Sequence, residues 1–91
     1  MPYGAKVGLL ARGRTSVEAT VPKGWRQRLA LRWGNSAWAS SVRILGCKAW
    51  PPAEWRAYVG SFKLRTAACV PLIVRAGGRS TVIWFAVGRA C

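Results

Sequence analysis

The dipeptide Gly77-Gly78 stands between two apolar arms in the stretch CVPLIVRAGGRSTVIWFAVGRAC, residues 69–91. Both central positions of a type I′ turn need positive φ, which glycine adopts without steric penalty. Two β-rich arms joined by such a pair predict an antiparallel hairpin in which Ala76 opposes Arg79. In that register Leu72 faces Ile83, Val70 faces Phe85 and Val74 faces Thr81, a set expected to form core. Ile73, Val82, Trp84 and Pro71 lie on the other face, with Arg75 opposite Ser80. That face is apolar and needs either a covering strand or a partner. Pro71 donates no ladder bond, which places it at an edge or a bulge.

The rest of the chain carries the same signal. Turn residues recur at Gly13, Pro22-Lys23-Gly24, Gly34-Asn35-Ser36, Pro51-Pro52 and Gly60. Short alternating runs lie between them, the pattern of a sandwich or barrel. Residues 7–11 read as a first strand. In residues 16–21, Val17, Ala19 and Val21 alternate with Ser16, Glu18 and Thr20. Residues 25–33 alternate again, with Gln27, Leu29, Leu31 and Trp33 on one face and Arg26, Arg28, Ala30 and Arg32 on the other. A helix would also align Trp25, Leu29 and Trp33, but the strand segregates the arginines. Residues 42–47 form a further strand with Val42 and Ile44 inward. Residues 51–55 are the one expected helical turn, with Pro52 near its first position and Glu54 in the first turn. Tyr58, Phe62 and Leu64 alternate with Val59, Lys63 and Arg65, and Gly60 suggests a bulge. The expected architecture is all-β: a small antiparallel β-sandwich or partly open barrel with a C-terminal hairpin, one domain over residues 1–91, open to truncation at its N-terminus.

Charge then narrows the function. Fifteen Lys and Arg face two acids, Glu18 and Glu54, for a formal net charge of +13. Such a field attracts polyanions: nucleic acid, anionic lipid or acidic polymers. The catalytic inventory is nearly empty. There is no His and no Asp, which removes imidazole-based catalysis and leaves only two carboxylates in unrelated segments. Cys47, Cys69 and Cys91 are spaced 22 residues apart with no C-x-x-C pair, which is not a zinc-site spacing. No enzyme, metal or cofactor is expected, and no small-molecule substrate is evident.

Three cysteines leave the pairing open. The hairpin register sets Cys69 opposite Ala86, five residues from Cys91, or roughly 17 Å in an extended strand. Cys47–Cys69, Cys47–Cys91, a Cys69–Cys91 bridge made by folding back at Gly88, and three buried thiols all remain open. An intramolecular bridge would imply an oxidising compartment.

The segments VPKGWRQRLALRWGNS (residues 21–36), AYVGSFKL (57–64) and ACVPLIVRAGGRSTVIWFAVGRAC (68–91) resemble an uncharacterised domain of secreted or membrane-tethered proteins of actinobacteria. Together they cover about half the chain, and the last, with its Gly-Gly-Arg and terminal Gly-Arg-x-Cys, is the most specific. The resemblance implies an extracytoplasmic setting and a parent with a signal or anchor upstream of Met1, which would then be an internal start. It brings no catalytic or binding residues. It also implies a further cysteine around Tyr3-Gly4-Ala5, which this chain lacks; the departure would explain the odd count.

Three surfaces are candidates for function. The cations Arg26, Arg28 and Arg32 make a comb on one strand face, repeating at roughly 7 Å for alternate residues, and Arg43, Arg56, Lys63 and Arg65 extend the polyanion-binding set. The bland reading of that comb is a solvated strand face. Among six tryptophans, Trp38, Trp50, Trp55 and Trp84 are aromatic contact candidates, the first three in expected loops; Trp25, Trp33 and Trp84 also fit core or cation–π roles. The outer hairpin face is the third. The function expected is a non-enzymatic basic module that contacts an anionic cell-envelope polymer, a membrane surface or a protein. The alternative is a nucleic-acid-binding protein using Arg–phosphate contacts and Trp stacking.

Overall fold

The computed structural model describes residues 1, 3–12, 14–34, 36–46 and 54–91. Its seven strands are β1 (Tyr3–Arg12), β2 (Val17–Thr20), β3 (Leu29–Trp33), β4 (Ser41–Ile44), β5 (Trp55–Leu64), β6 (Ala68–Ala76) and β7 (Arg79–Val87). They form two antiparallel sheets, in the orders β1-β5-β3 and β4-β2-β6-β7. The sheets pack face to face without closing into a barrel, so the architecture is a sandwich.

Alternation builds the core. Val17 and Ala19 are buried from β2 and Val21 just after it, Leu29 and Leu31 from β3, Phe62 and Leu64 from β5, and Val70 and Leu72 from β6. The two inner faces meet at Phe62, whose ring stands edge-on to Phe85 with centroids 5.1 Å apart. That is a favoured aromatic geometry.

The hairpin forms in the expected register. Ala76 opposes Arg79, Leu72 opposes Ile83 and Val70 opposes Phe85, and Gly77 and Gly78 have φ of 57° and 74°. The Ala76–Arg79 pair flanks a two-residue turn and is therefore hydrogen-bonded, so the alternation makes Pro71–Trp84 a non-hydrogen-bonded pair. The amide hydrogen that Pro71 lacks would point away from β7, beyond the end of β2. This is why a proline sits inside a nine-residue strand without breaking the hairpin. The core expected of the hairpin is only half present. Val70 and Leu72 are buried, whereas Ile83 is 41% exposed and Thr81 is exposed, because β7 is an edge strand lying beyond the cover of the opposite sheet.

Three local expectations are corrected, and a fourth falls largely outside the described residues. The run at residues 25–33 is a strand only over Leu29–Trp33. Before it, Lys23–Trp25 is a 3₁₀ turn, continued by a bond from Arg28 N to Trp25 O of 3.1 Å. Pro22 supplies no competing donor and Gly24 bends easily, so the chain turns where alternation alone predicts extension. The turn expected near Pro52 lies outside the described residues apart from its last two, and Trp55 opens β5. Strand β1 also extends well beyond residues 7–11. Finally, β5 has no bulge: its pairing with β1 is continuous from Tyr3–Leu64 to Arg12–Trp55.

Gly60 serves close approach instead. It opposes Trp33 on β3, and a Cβ there would stand 2.5 Å from the Trp33 ring. Trp33 thus lies flat on bare backbone and packs against the core. Gly60→Ala is expected to cost about 1–3 kcal/mol, the usual overpacking penalty. The urea midpoint should fall with the slope unchanged; an unshifted midpoint would show that the indole is not seated there.

The cysteine question resolves to the folded-back arrangement. After β7 the chain reverses at Gly88, with φ of 72°, and Cys91 bridges to Cys69 with the Cα atoms 4.8 Å apart. The extended-strand separation does not apply, because left-handed backbone at Gly88 turns the last residues back over the start of β6. Cys47 lies outside the described residues.

Candidate basic binding face

Strand register assembles the site. On the outer face of the β1-β5-β3 sheet, Lys6, Ser61 and Arg32 form one row across three strands. Gly4, Lys63 and Ala30 form the next, about 7 Å along. Just beyond the strand ends, Arg65 N donates to Arg28 O at 3.2 Å, which brings Arg28 and Arg65 together as a third row. Lys23 joins them around a hollow of about 620 Å³, lined also by Gly24 and Gln27. Six cations therefore share one side of the molecule, and Gly4 and Ala30 keep the relief low between them.

Several of these groups are held in place. Arg28 stacks on the Trp25 ring at 3.8 Å. Arg65, exposed, donates from Nε to Gln27 O at 2.8 Å, which holds its guanidinium in place. Lys6 Nζ donates to Ser61 Oγ at 3.2 Å. Trp38, on the segment after β3, lies within about 5 Å of both Arg32 and Lys63. Stacking lowers the entropy lost when a guanidinium engages an anion, and a planar donor fork suits phosphate and carboxylate.

Carboxylates are kept away. Glu18 is on β2 in the other sheet. Glu54 precedes β5 at the end opposite Arg65, nine residues from Lys63 or roughly 30 Å of extended chain. Cations on the rows above are thus not neutralised by their own sheet face, and at moderate salt their fields sum over a Debye length of about 10 Å.

The comb of Arg26, Arg28 and Arg32 does not exist as read, because Arg26 and Arg28 precede the strand. Arg28 and Arg32 still share the basic face with Lys63 and Arg65, joined through β5. Arg26 is exposed on the turn. Arg43 belongs elsewhere: it lies on the other sheet, 3.6 Å from Glu18, a carboxylate it shares with Arg75 at 3.2 Å. Arg56 lies opposite Ala11 near the start of β5, five residues before Ser61 and off the three rows. Strand register within the sheet and the 3₁₀ turn brought in Lys6 and Lys23, which sequence reasoning passed over. The alternation of Lys6 with the inward Ala5 and Val7 was the available clue.

The tryptophans also sort themselves. Trp38 is partly exposed in a loop as expected, Trp55 is exposed at the start of β5 with Arg12 5.0 Å from its ring, and Trp84 is exposed on β7. Trp50 lies outside the described residues. The cation partners are Arg28 for Trp25 and Arg12 for Trp55, reached across a turn and a strand pair and not along adjacent residues. No family model, no curated protein and no solved structure matches the chain, so the geometry alone carries the functional reading.

Proposed function

We propose that this protein is a non-enzymatic, extracytoplasmic binding module whose basic sheet face seats an extended anionic polymer of the cell envelope. The observation that carries the reading is the three-row array of Lys6, Arg32, Lys63, Arg28, Arg65 and Lys23 with no carboxylate in it. The rows span about 14 Å, which suits a chain of repeating anions better than a single small ion. The Cys69–Cys91 bridge supports an oxidising compartment.

Nucleic acid is the second reading, and the two tryptophans beside the basic face count against it there. Base recognition by stacking needs an open indole face. Arg28 stands over Trp25, and Arg32 and Lys63 stand over Trp38. These rings orient cations, so contact with the ligand falls to charge.

Salt-dependent affinity tests the proposal. Arg32→Gln/Lys63→Gln is compared with Arg43→Gln/Arg79→Gln, which removes equal charge from the other sheet near the hairpin turn. Against a polyol phosphate polymer the face variant should lose roughly tenfold or more in affinity and flatten the log–log salt slope by about 1.5. The other-sheet variant should change little. Equal losses would mean that net charge alone binds the polymer. Tighter binding of single-stranded DNA than of the base-free polymer, with tryptophan quenching, would favour nucleic acid.

A further inference from the structure

We propose that two copies of this chain pair antiparallel through β7, joining their β4-β2-β6-β7 sheets into one eight-stranded sheet across a two-fold axis. The starting observation is an edge strand, β7, with no outer neighbour among the described residues. Exposed strand edges are normally blunted by brevity, lysine, proline or bulges. The other edges here are blunted: β4 has four residues and carries Arg43, β1 carries Lys6 and Arg12, and β3 has five residues. The free side of β3 is also closed by paired bonds between Leu31 and Ala39, each of 2.8 Å. Strand β7 carries only Arg79, at its first residue. It runs nine residues, keeps unbroken register with β6, and has no charge, glycine or proline from Thr81 to Val87. Val82 is 50% exposed and Trp84 58% exposed.

The occupant follows from the strand's own complementarity. Residues 79, 81, 83, 85 and 87 bond to β6, so residues 80, 82, 84 and 86 direct their amides and carbonyls to the open edge. A second copy placed two-fold about Ile83 sets Val82 opposite the partner's Trp84 and Ser80 opposite the partner's Ala86. All four are edge-directed residues, so every outward group finds its match. One sheet face then carries a Val82–Trp84 pair and its symmetry mate; the other carries Thr81, Ile83 and Phe85. No like charges oppose each other, since Arg79 falls opposite the partner's Val87. In a chain of net charge +13, this uncharged strip is where a second copy can approach at least electrostatic cost. Pairing would also present two basic faces from one particle, which raises avidity for a polymer without new contacts.

A single strand pair is a small interface, at the low end of the size range for specific association. The dimer should therefore be concentration-dependent, and because it joins two positive bodies it should strengthen as salt rises. Polyanion binding has the opposite salt sign, so the two proposals succeed or fail separately.

Sedimentation equilibrium from 0.1 to 0.5 M salt measures the association. A dimer that tightens severalfold over that range, and is weakened at least tenfold by Trp84→Lys with the circular dichroism of the fold retained, is expected. In a Cys47→Ser background, Ile83→Cys should oxidise to a covalent dimer, because Ile83 meets its symmetry mate in a non-hydrogen-bonded pair about 4.5 Å apart. Val82→Cys should cross-link to Trp84→Cys in a mixture. A monomer at all concentrations up to about 1 mM would overturn the proposal. So would a dimer indifferent to Trp84→Lys, or cross-linking that ignores this register.

Discussion

Phe62→Ala is expected to remove most of the protein's stability. Phe62 is 2% exposed and occupies the middle of the sandwich. Its strand neighbours in register are Ala5 and Leu31, and Phe85 meets its ring from the opposite sheet. Truncating a buried phenylalanine typically costs about 3–5 kcal/mol through lost transfer energy and the cavity left behind. A domain of 91 residues has only about 5–15 kcal/mol in total and lies toward the lower end for its size. The cavity cannot close easily, because ladder hydrogen bonds on both sheets hold the backbones apart. Thermal unfolding should drop by more than about 12 °C, while Phe62→Leu, which keeps most of the volume, should cost less than about 1.5 kcal/mol. A loss below about 1 kcal/mol for the alanine variant would mean that the two sheets do not close over this ring.

Removing the Cys69–Cys91 bridge ranks second. The bridge closes a loop with a sequence separation of 22, and the entropy it withholds from the unfolded chain is worth about 3 kcal/mol. Cys69→Ser/Cys91→Ser should lose about that amount, measured by urea unfolding, as should the wild type under reducing conditions. The unmodified protein should be about 2 Da lighter than its reduced form, and Cys47→Ser should keep that difference. If the Cys47→Ser protein shows no such difference, the bridge involves Cys47 and the fold-back at Gly88 is wrong. Both losses act on the same scaffold but at separate places, so they should add to within about 0.5 kcal/mol.

Much of the scaffold was legible because its signals are local. A Gly-Gly turn admits few backbone conformations, and once Ala76 opposes Arg79 every other hairpin pair follows. Val17, Ala19 and Val21 alternate with polar neighbours because each inward position loses contact with water. The misreadings occurred where local and non-local terms compete. The stretch at residues 25–28 alternates like a strand yet turns, because Pro22 and Gly24 favour a tight bend just before β3 finds its partner. Gly60 suggested a bulge, but the deciding fact was an indole from a strand nearly thirty residues away in sequence.

The binding face was the least legible part. Arg28 and Arg65 are far apart along the chain and meet only through β3–β5 pairing; Lys6 joins Arg32 only because Ser61 stands between them. Arg43 looked equivalent to Arg32 in the sequence, yet Glu18 takes it on the other sheet.

The sequence alone determined that this chain is pleated, where its hairpin turns and that its surface is positive, since turn geometry, two-residue periodicity and net charge are properties of neighbours and of sums. Only tertiary structure decided which cations gather without a carboxylate, which cysteines meet and which strand is left at an edge. Each of those depends on distances between residues remote in sequence, and such distances are set by the register and stacking of whole sheets.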